Sequence, residues 1–231
     1  VVLKGSGGTD GLEIQAIGKG GNVNRTNVTA KAYTNVDGIV NKGISTLNDG
    51  TKIIADGVGG KAVSTYTNSF NGFADAYSSV AGINNNQPTS KITLNDMTTI
   101  KVNSSGGEAI GTYSTASDYA YNYGILNYGT NLMNGSTQIE ATSTGGVATA
   151  TSSIPMYTVG SQGIAYGIWN SGTSTMSGTT KIKATGIGGE VTSTSANARG
   201  DGTAYGIRNT NIVNATSSST TQIDVTGIGG K

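Results

Sequence analysis

The sequence predicts an all-β fold, a parallel β-helix (β-solenoid) built from repeats of about 40 residues. Three observations predict it. A Gly-Gly pair recurs at 20–21, 59–60, 106–107, 145–146, 188–189 and 229–230, with an isoleucine six residues before each pair. Around that isoleucine the apolar and β-branched residues alternate with polar ones, the mark of a strand with one buried face. A second motif, Gly-Ile-x-Asn, falls once between successive copies of the first, at 38–41, 82–85, 124–127, 167–170 and 206–209.

The first motif reads T-x-I-x-[AV]-x-[GS]-x-G-G. Its isoleucines are Ile14, Ile53, Ile100, Ile139, Ile182 and Ile223. Thr51, Thr98, Thr137, Thr180 and Thr221 stand two residues earlier, with Leu12 in the first copy. These threonines share a side with isoleucine and small Ala or Val, which favours an inward position over an ice-binding face. The second motif contributes Ile39, Ile83, Ile125, Ile168 and Ile207 to the same interior. Between the two motifs a short strand is expected around Leu47, Leu94, Met133 and Met176, followed by turn residues such as Asn134-Gly135. A further strand follows each Gly-Gly pair, as at Val147-Ala148-Thr149-Ala150, and then a connection of variable length. No segment carries helical apolar spacing.

The repeat runs from 39 to 47 residues, and the Gly-Gly to Gly-Ile step absorbs most of the variation. One copy cannot bury its apolar face alone, whereas stacked copies bury it against one another. A single domain over 1–231 is expected, with repeats of roughly 1–37, 38–81, 82–123, 124–166, 167–205 and 206–231. Asn41, Asn85, Asn127, Asn170 and Asn209 close the second motif in every copy. Such an asparagine suits a corner, and its amide can bond that of the next coil when one repeat makes one coil, ~4.8 Å away. Two coils per repeat would double that spacing and separate the amides. Residues 1–8 match 223–230 in spacing, so a strand of the first motif is expected at each end. Neither end carries a polar cap, and open strand edges invite self-association, end to end or side by side.

Composition narrows the function. Gly numbers 37, and with Ser, Thr and Asn it fills about half of the chain, while charged residues make up 12%. The 14 basic residues are scattered, which leaves no footprint for nucleic acid. No apolar run reaches the ~20 residues of a membrane-spanning helix, so membrane insertion is not expected. The opening Val1-Val2-Leu3-Lys4-Gly5 lacks the layout of a signal peptide. Absence of cysteine favours the cell exterior, because exported bacterial proteins avoid unwanted pairing.

With no histidine, neither a Ser-His-Asp triad nor a His-ligated metal can be built. The residues after Gly-Gly do not supply the aspartate of a calcium-binding β-roll. The 13 acids are dispersed, and Asp37, Asp75, Asp118 and Asp201 are expected as solvated charges on the variable connections. No catalytic residue, metal ligand or cofactor site is assigned, and an enzyme is not expected. Tyrosine is the notable aromatic. Tyr113, Tyr119, Tyr121, Tyr123, Tyr128, Tyr157 and Tyr166 form a candidate contact patch, either loop residues folded on the solenoid wall or a surface for sugars and neighbouring chains.

The layout Ala165-Tyr166-Gly167-Ile168-Trp169-Asn170-Ser171-Gly172, then a short strand, then Thr180-Lys181-Ile182-Lys183-Ala184, resembles passenger repeats of bacterial autotransporters and related β-helical adhesins. The resemblance implies a right-handed parallel β-helix exposed at a bacterial surface or outside the cell, acting as a structural or adhesive stalk segment or fibre subunit. A host or cell-surface glycan is the partner class it brings. The alternatives are a β-helix enzyme acting on polysaccharide, a carbohydrate-binding module, or an ice-binding module.

Overall fold

The computed structural model describes residues 2–3, 12–48, 50–66, 72–95, 97–151, 158–194 and 197–231. Its regular elements are all β-strands, arranged in four parallel sheets that wind around one interior. The third coil illustrates the path: Lys91–Leu94 in sheet A, Thr98–Ser105 in sheet B, Glu108–Thr112 in sheet C and Thr115–Asn127 in sheet D. Sheets A and B hold six strands each, and sheets C and D five.

Equivalent positions lie directly over one another. Ile100 pairs with Ile53 on one side and Ile139 on the other, and Ile182 continues the file to Ile223. One repeat therefore makes one coil. Ile53, Ile100, Ile139 and Ile182 are buried, as are Ile83, Ile125 and Ile168 from sheet D. On the outer coils Ile14, Ile39 and Ile207 are only partly buried, and Ile223 is 44% exposed, its strand being the last of sheet B among the described residues.

Two expectations need correction. The segment expected to repeat residues 223–230 does not do so at Val2–Leu3. Those two residues join sheet A, pairing with Thr46 and Leu47. Their neighbours 1 and 4–11 lie outside the described residues. The connection before Gly-Ile-x-Asn is also not a loop. It is the longest strand of each coil, 12 residues at Ala30–Asn41 and 13 in later coils, running unbroken into the asparagine. Length varies most at the corner between sheets C and D, short at 112–115 and longer at 65–73 and 151–158, with smaller additions between Asn85 and Lys91 and between Ala215 and Thr220.

The interior tapers. Where sheets A and B face the end of sheet D, the core is Leu47, Ile53, Ile92, Leu94, Ile100 and their equivalents. Where sheet C faces the start of sheet D, it is alanine against alanine, including Ala62, Ala109 and Ala148 against Ala74 and Ala116. Small side chains let those two sheets approach closely, in line with close-packed interiors.

The two sequence motifs interlock across this core. Gly124 drops out of the sheet D pairing, and the alternation shifts there, with Tyr123 and Leu126 facing outward and Ile125 inward. A Cβ on Gly124 would lie 2.1 Å from Ile139 Cγ2 and 2.5 Å from the Gly167 carbonyl oxygen. The same contact recurs between Gly38 and Ile53, Gly82 and Ile100, Gly167 and Ile182, and Gly206 and Ile223. Glycine stands there because the facing isoleucine leaves no room.

The threonine file is buried at Thr51, Thr98, Thr137 and Thr180. Only Thr51 among them donates its hydroxyl, to the Asn48 carbonyl at 2.9 Å, whereas the hydroxyls of Thr98, Thr137 and Thr180 have no partner among the described residues. These positions use the β-branch of threonine for packing.

Three outcomes follow for stability. Gly124→Ala lowers it by about 2 kcal/mol or more through overpacking. Gly43→Ala, where a Cβ meets nothing within 4 Å, leaves it nearly unchanged. Thr137→Val raises it by ~1 kcal/mol, since an unpaired buried hydroxyl is removed at constant shape. Urea midpoints at constant slope check all three.

Candidate functional site

Three features stand out from the repetitive scaffold: files of amides at two corners, a buried carboxyl, and an aromatic outer face.

The corner asparagines form a continuous chain. Asn41 Nδ2 donates to Asn85 Oδ1 at 2.8 Å, Asn85 to Asn127 at 2.7 Å, Asn127 to Asn170 at 2.6 Å and Asn170 to Asn209 at 2.8 Å. The first four amides also donate to a sheet A carbonyl of the next coil, as Asn127 does to Thr173 at 3.1 Å. Ser45 and Ser174 hydroxyls donate back to Asn41 and Asn170. Sequence reading missed a second, more exposed file at the next corner. There Asn95 donates to Asn48 at 2.9 Å, Asn134 to Asn95 at 3.1 Å, and Ser177 to Asn134 at 3.0 Å.

The acids expected as loop charges all lie on sheet D. Asp37 accepts from Asn84 Nδ2, and Asp201 accepts from Gln162 and pairs with Arg199. Asp75 pairs with Lys31 at 3.6 Å. Asp118 overturns the expectation most clearly, because it faces inward and is fully buried. Its carboxyl spans two coils, accepting from Gly107 N–H at 2.7 Å, Gly146 N–H at 2.5 Å and Ser161 Oγ at 3.2 Å. Burial pushes its pKa up to about 7, although these three donors oppose the rise. The position is Ala32 and Ala76 in earlier coils and Ser161 and Gly200 in later ones, so repetition hides it. Among the described residues no group of three or more acids is placed to hold a metal.

Tyr119, Tyr121, Tyr123 and Tyr166 are strand residues on the outer face of sheet D, not loop residues folded onto it, whereas Tyr113 and Tyr128 lie at bends. Tyr123, Tyr166 and Tyr205 stack face to face at 5.1 Å and 5.0 Å, with planes within 6° of parallel. Trp169 packs against Tyr123 and Tyr166, and Tyr128 meets Trp169 from the corner. Arg208 lies over Tyr166, Trp169 and Tyr205, and its guanidinium donates to the Tyr166 hydroxyl at 3.1 Å. Tyr123 and Tyr166 are thereby buried, and burial pushes the Tyr123 phenol well above its usual range. Tyr119 and Tyr121 belong to a second group, joined through Tyr77 to Tyr33. Tyr113 stands apart on a turn with φ of 52°, 41% exposed, and Tyr157 lies outside the described residues. Tyr205 precedes Gly-Ile in the sequence as Tyr123 and Tyr166 do, whereas Tyr33 and Tyr77 join the second group through coil register.

Asp118 generates a pH dependence. Its folded pKa is raised from 3.8 to about 7, so between those values the folded chain holds a proton that the unfolded chain has lost. The stabilisation is complete below pH ~4 and is lost as pH rises to ~7, on the order of 4 kcal/mol at most. Denaturant unfolding across that range, compared with Asp118→Ala, should show the slope in the native chain and its loss in the variant.

No family model, curated protein or solved structure matches this chain.

Proposed function

We propose that this chain is a structural and adhesive element of a bacterial cell surface or extracellular fibre, with the coil stack as its rod. The single observation that carries the reading is the register. Backbone ladders in four sheets and the buried amide chain repeat coil after coil, so the scaffold lengthens by adding coils without new design. The sequence resemblance to autotransporter passengers and β-helical adhesins supports the surface location.

The strand Thr220–Ile228 supports self-association end to end. Among the described residues no strand pairs with its second edge, and Ile223, Val225 and Ile228 are each nearly half exposed. A further coil laid on that edge gains both a ladder of hydrogen bonds and apolar burial. The coil edge suits either the next coil of a longer stalk or a coil of another copy. The outer face of sheet D supplies the adhesive side, since rigid tyrosines give contact area at low entropic cost.

Negative-stain electron microscopy tests the rod, and antibody labelling of intact producing cells tests its location. Rods or filaments of constant width and surface label are expected; compact particles confined inside the cell would end the reading. In sedimentation, Ile223→Lys with Val225→Lys should weaken association of the chain about tenfold or more, equivalent to ~1.4 kcal/mol.

A further inference from the structure

We infer that a cleft on the outer face of sheet D, across the first three coils, binds a neutral hexopyranose unit of a glycan. The inference rests on the adhesive reading above and gives its contact a place and a chemistry. The cleft holds about 420 Å³ and is walled by Tyr33, Phe73, Tyr77, Tyr119 and Tyr121, with Asp75 and Ser117 on its floor.

Its rings are open where those of the neighbouring seam are closed. Tyr123 and Tyr166 are 8% and 5% exposed, stacked on each other and covered by Trp169 and Arg208, so they offer no free ring face. Tyr33 and Phe73 are 56% and 45% exposed. Tyr33 meets Tyr77 edge to face, with planes at 71° and centroids at 5.6 Å, which leaves broad ring surface uncovered. Strand backbone on a packed interior holds these rings in place, so little freedom remains to be lost when a ligand settles on them.

Charge then selects the ligand class. Asp75, the one charged residue of the lining, is paired at 3.6 Å with Lys31, which stands beside the cleft, so its charge is balanced from outside the lining. A cationic ligand would compete with Lys31 for Asp75. An anionic one would meet the Asp75 carboxylate and the negative ring faces. A pyranose suits both features. Its C–H face lies on the Tyr33 and Phe73 rings, and its hydroxyls donate to the Asp75 carboxylate and accept from the Lys31 ammonium. The Ser117 hydroxyl offers either role.

The full chain is tested by saturation-transfer NMR against neutral gluco-, galacto- and manno-oligosaccharides, with oligogalacturonate and choline as charged probes. Transfer to at least one neutral series is expected. Tyr33→Ala and Phe73→Ala should weaken it tenfold or more, while Tyr128→Ala, in the closed seam, leaves it unchanged. Ser117→Arg, which fills the cleft without removing a ring, should abolish it and guards against a fold defect in the alanine variants. Binding of no neutral sugar, preference for a charged probe, or binding that survives both Tyr33→Ala and Ser117→Arg overturns the site. Microscopy separates the two readings: rods without sugar binding remove the cleft alone, and sugar binding by compact particles removes the rod alone.

Discussion

A buried chain of side-chain amides is the constraint on which the rest of the structure depends. An asparagine amide both donates and accepts, so a file of them satisfies itself only when each sits one coil above the next. Asn85, Asn127 and Asn170 are fully buried, and a slip of one residue would leave a donor or acceptor unpaired in the core. Hydrophobic packing alone would tolerate a two-residue slip more easily, because the same face stays inward and Ile, Val and Ala are interchangeable within limits. The amide file therefore fixes register, and the isoleucine file, the alanine taper and the tyrosine stacks follow from it.

Register in turn explains the glycines. Sheets B and D converge until the Cγ2 of each ladder isoleucine touches the backbone of a Gly-Ile glycine. The two motifs are thus halves of one contact, Gly38 with Ile53 or Gly124 with Ile139, and neither can change size without the other. Chain-length variation is kept to the corners, most of it between sheets C and D, where extra residues leave the paired strands in register.

The parts of this fold legible in the sequence are those where inward residues are apolar and repeat. Ile53, Ile100, Ile139 and Ile182 announced sheet B, and the invariant asparagines announced the corner. Sheet D was hidden for two physical reasons. Its inward residues include Ser78, Asp118, Asn122 and Ser161, which do not register as a buried face, and its alternation shifts at the glycine before Ile125. Asp118 was illegible for a related reason. Its partners are backbone amides at Gly107 and Gly146, which carry no side-chain signature. The tyrosine groups were half legible: Tyr123, Tyr166 and Tyr205 share a place before Gly-Ile, and proximity collected Tyr119 and Tyr121, but Tyr33 and Tyr77 come from other coils and carry no such motif.

Asp118 also shows what a regular scaffold can absorb. A carboxyl buried among alanines would ordinarily be costly. Here the Gly-Gly corners of two successive coils point amides at it, and a serine of the next coil adds a third donor. Where the inward residue one coil earlier is Ala76, no such acceptor exists, so the clamp is local to two coils within an otherwise uniform stack. Uniform register makes this departure possible. Because each corner already sits in line with the next, one altered side chain reaches both, and a difference confined to a single repeat becomes a bond between neighbouring coils.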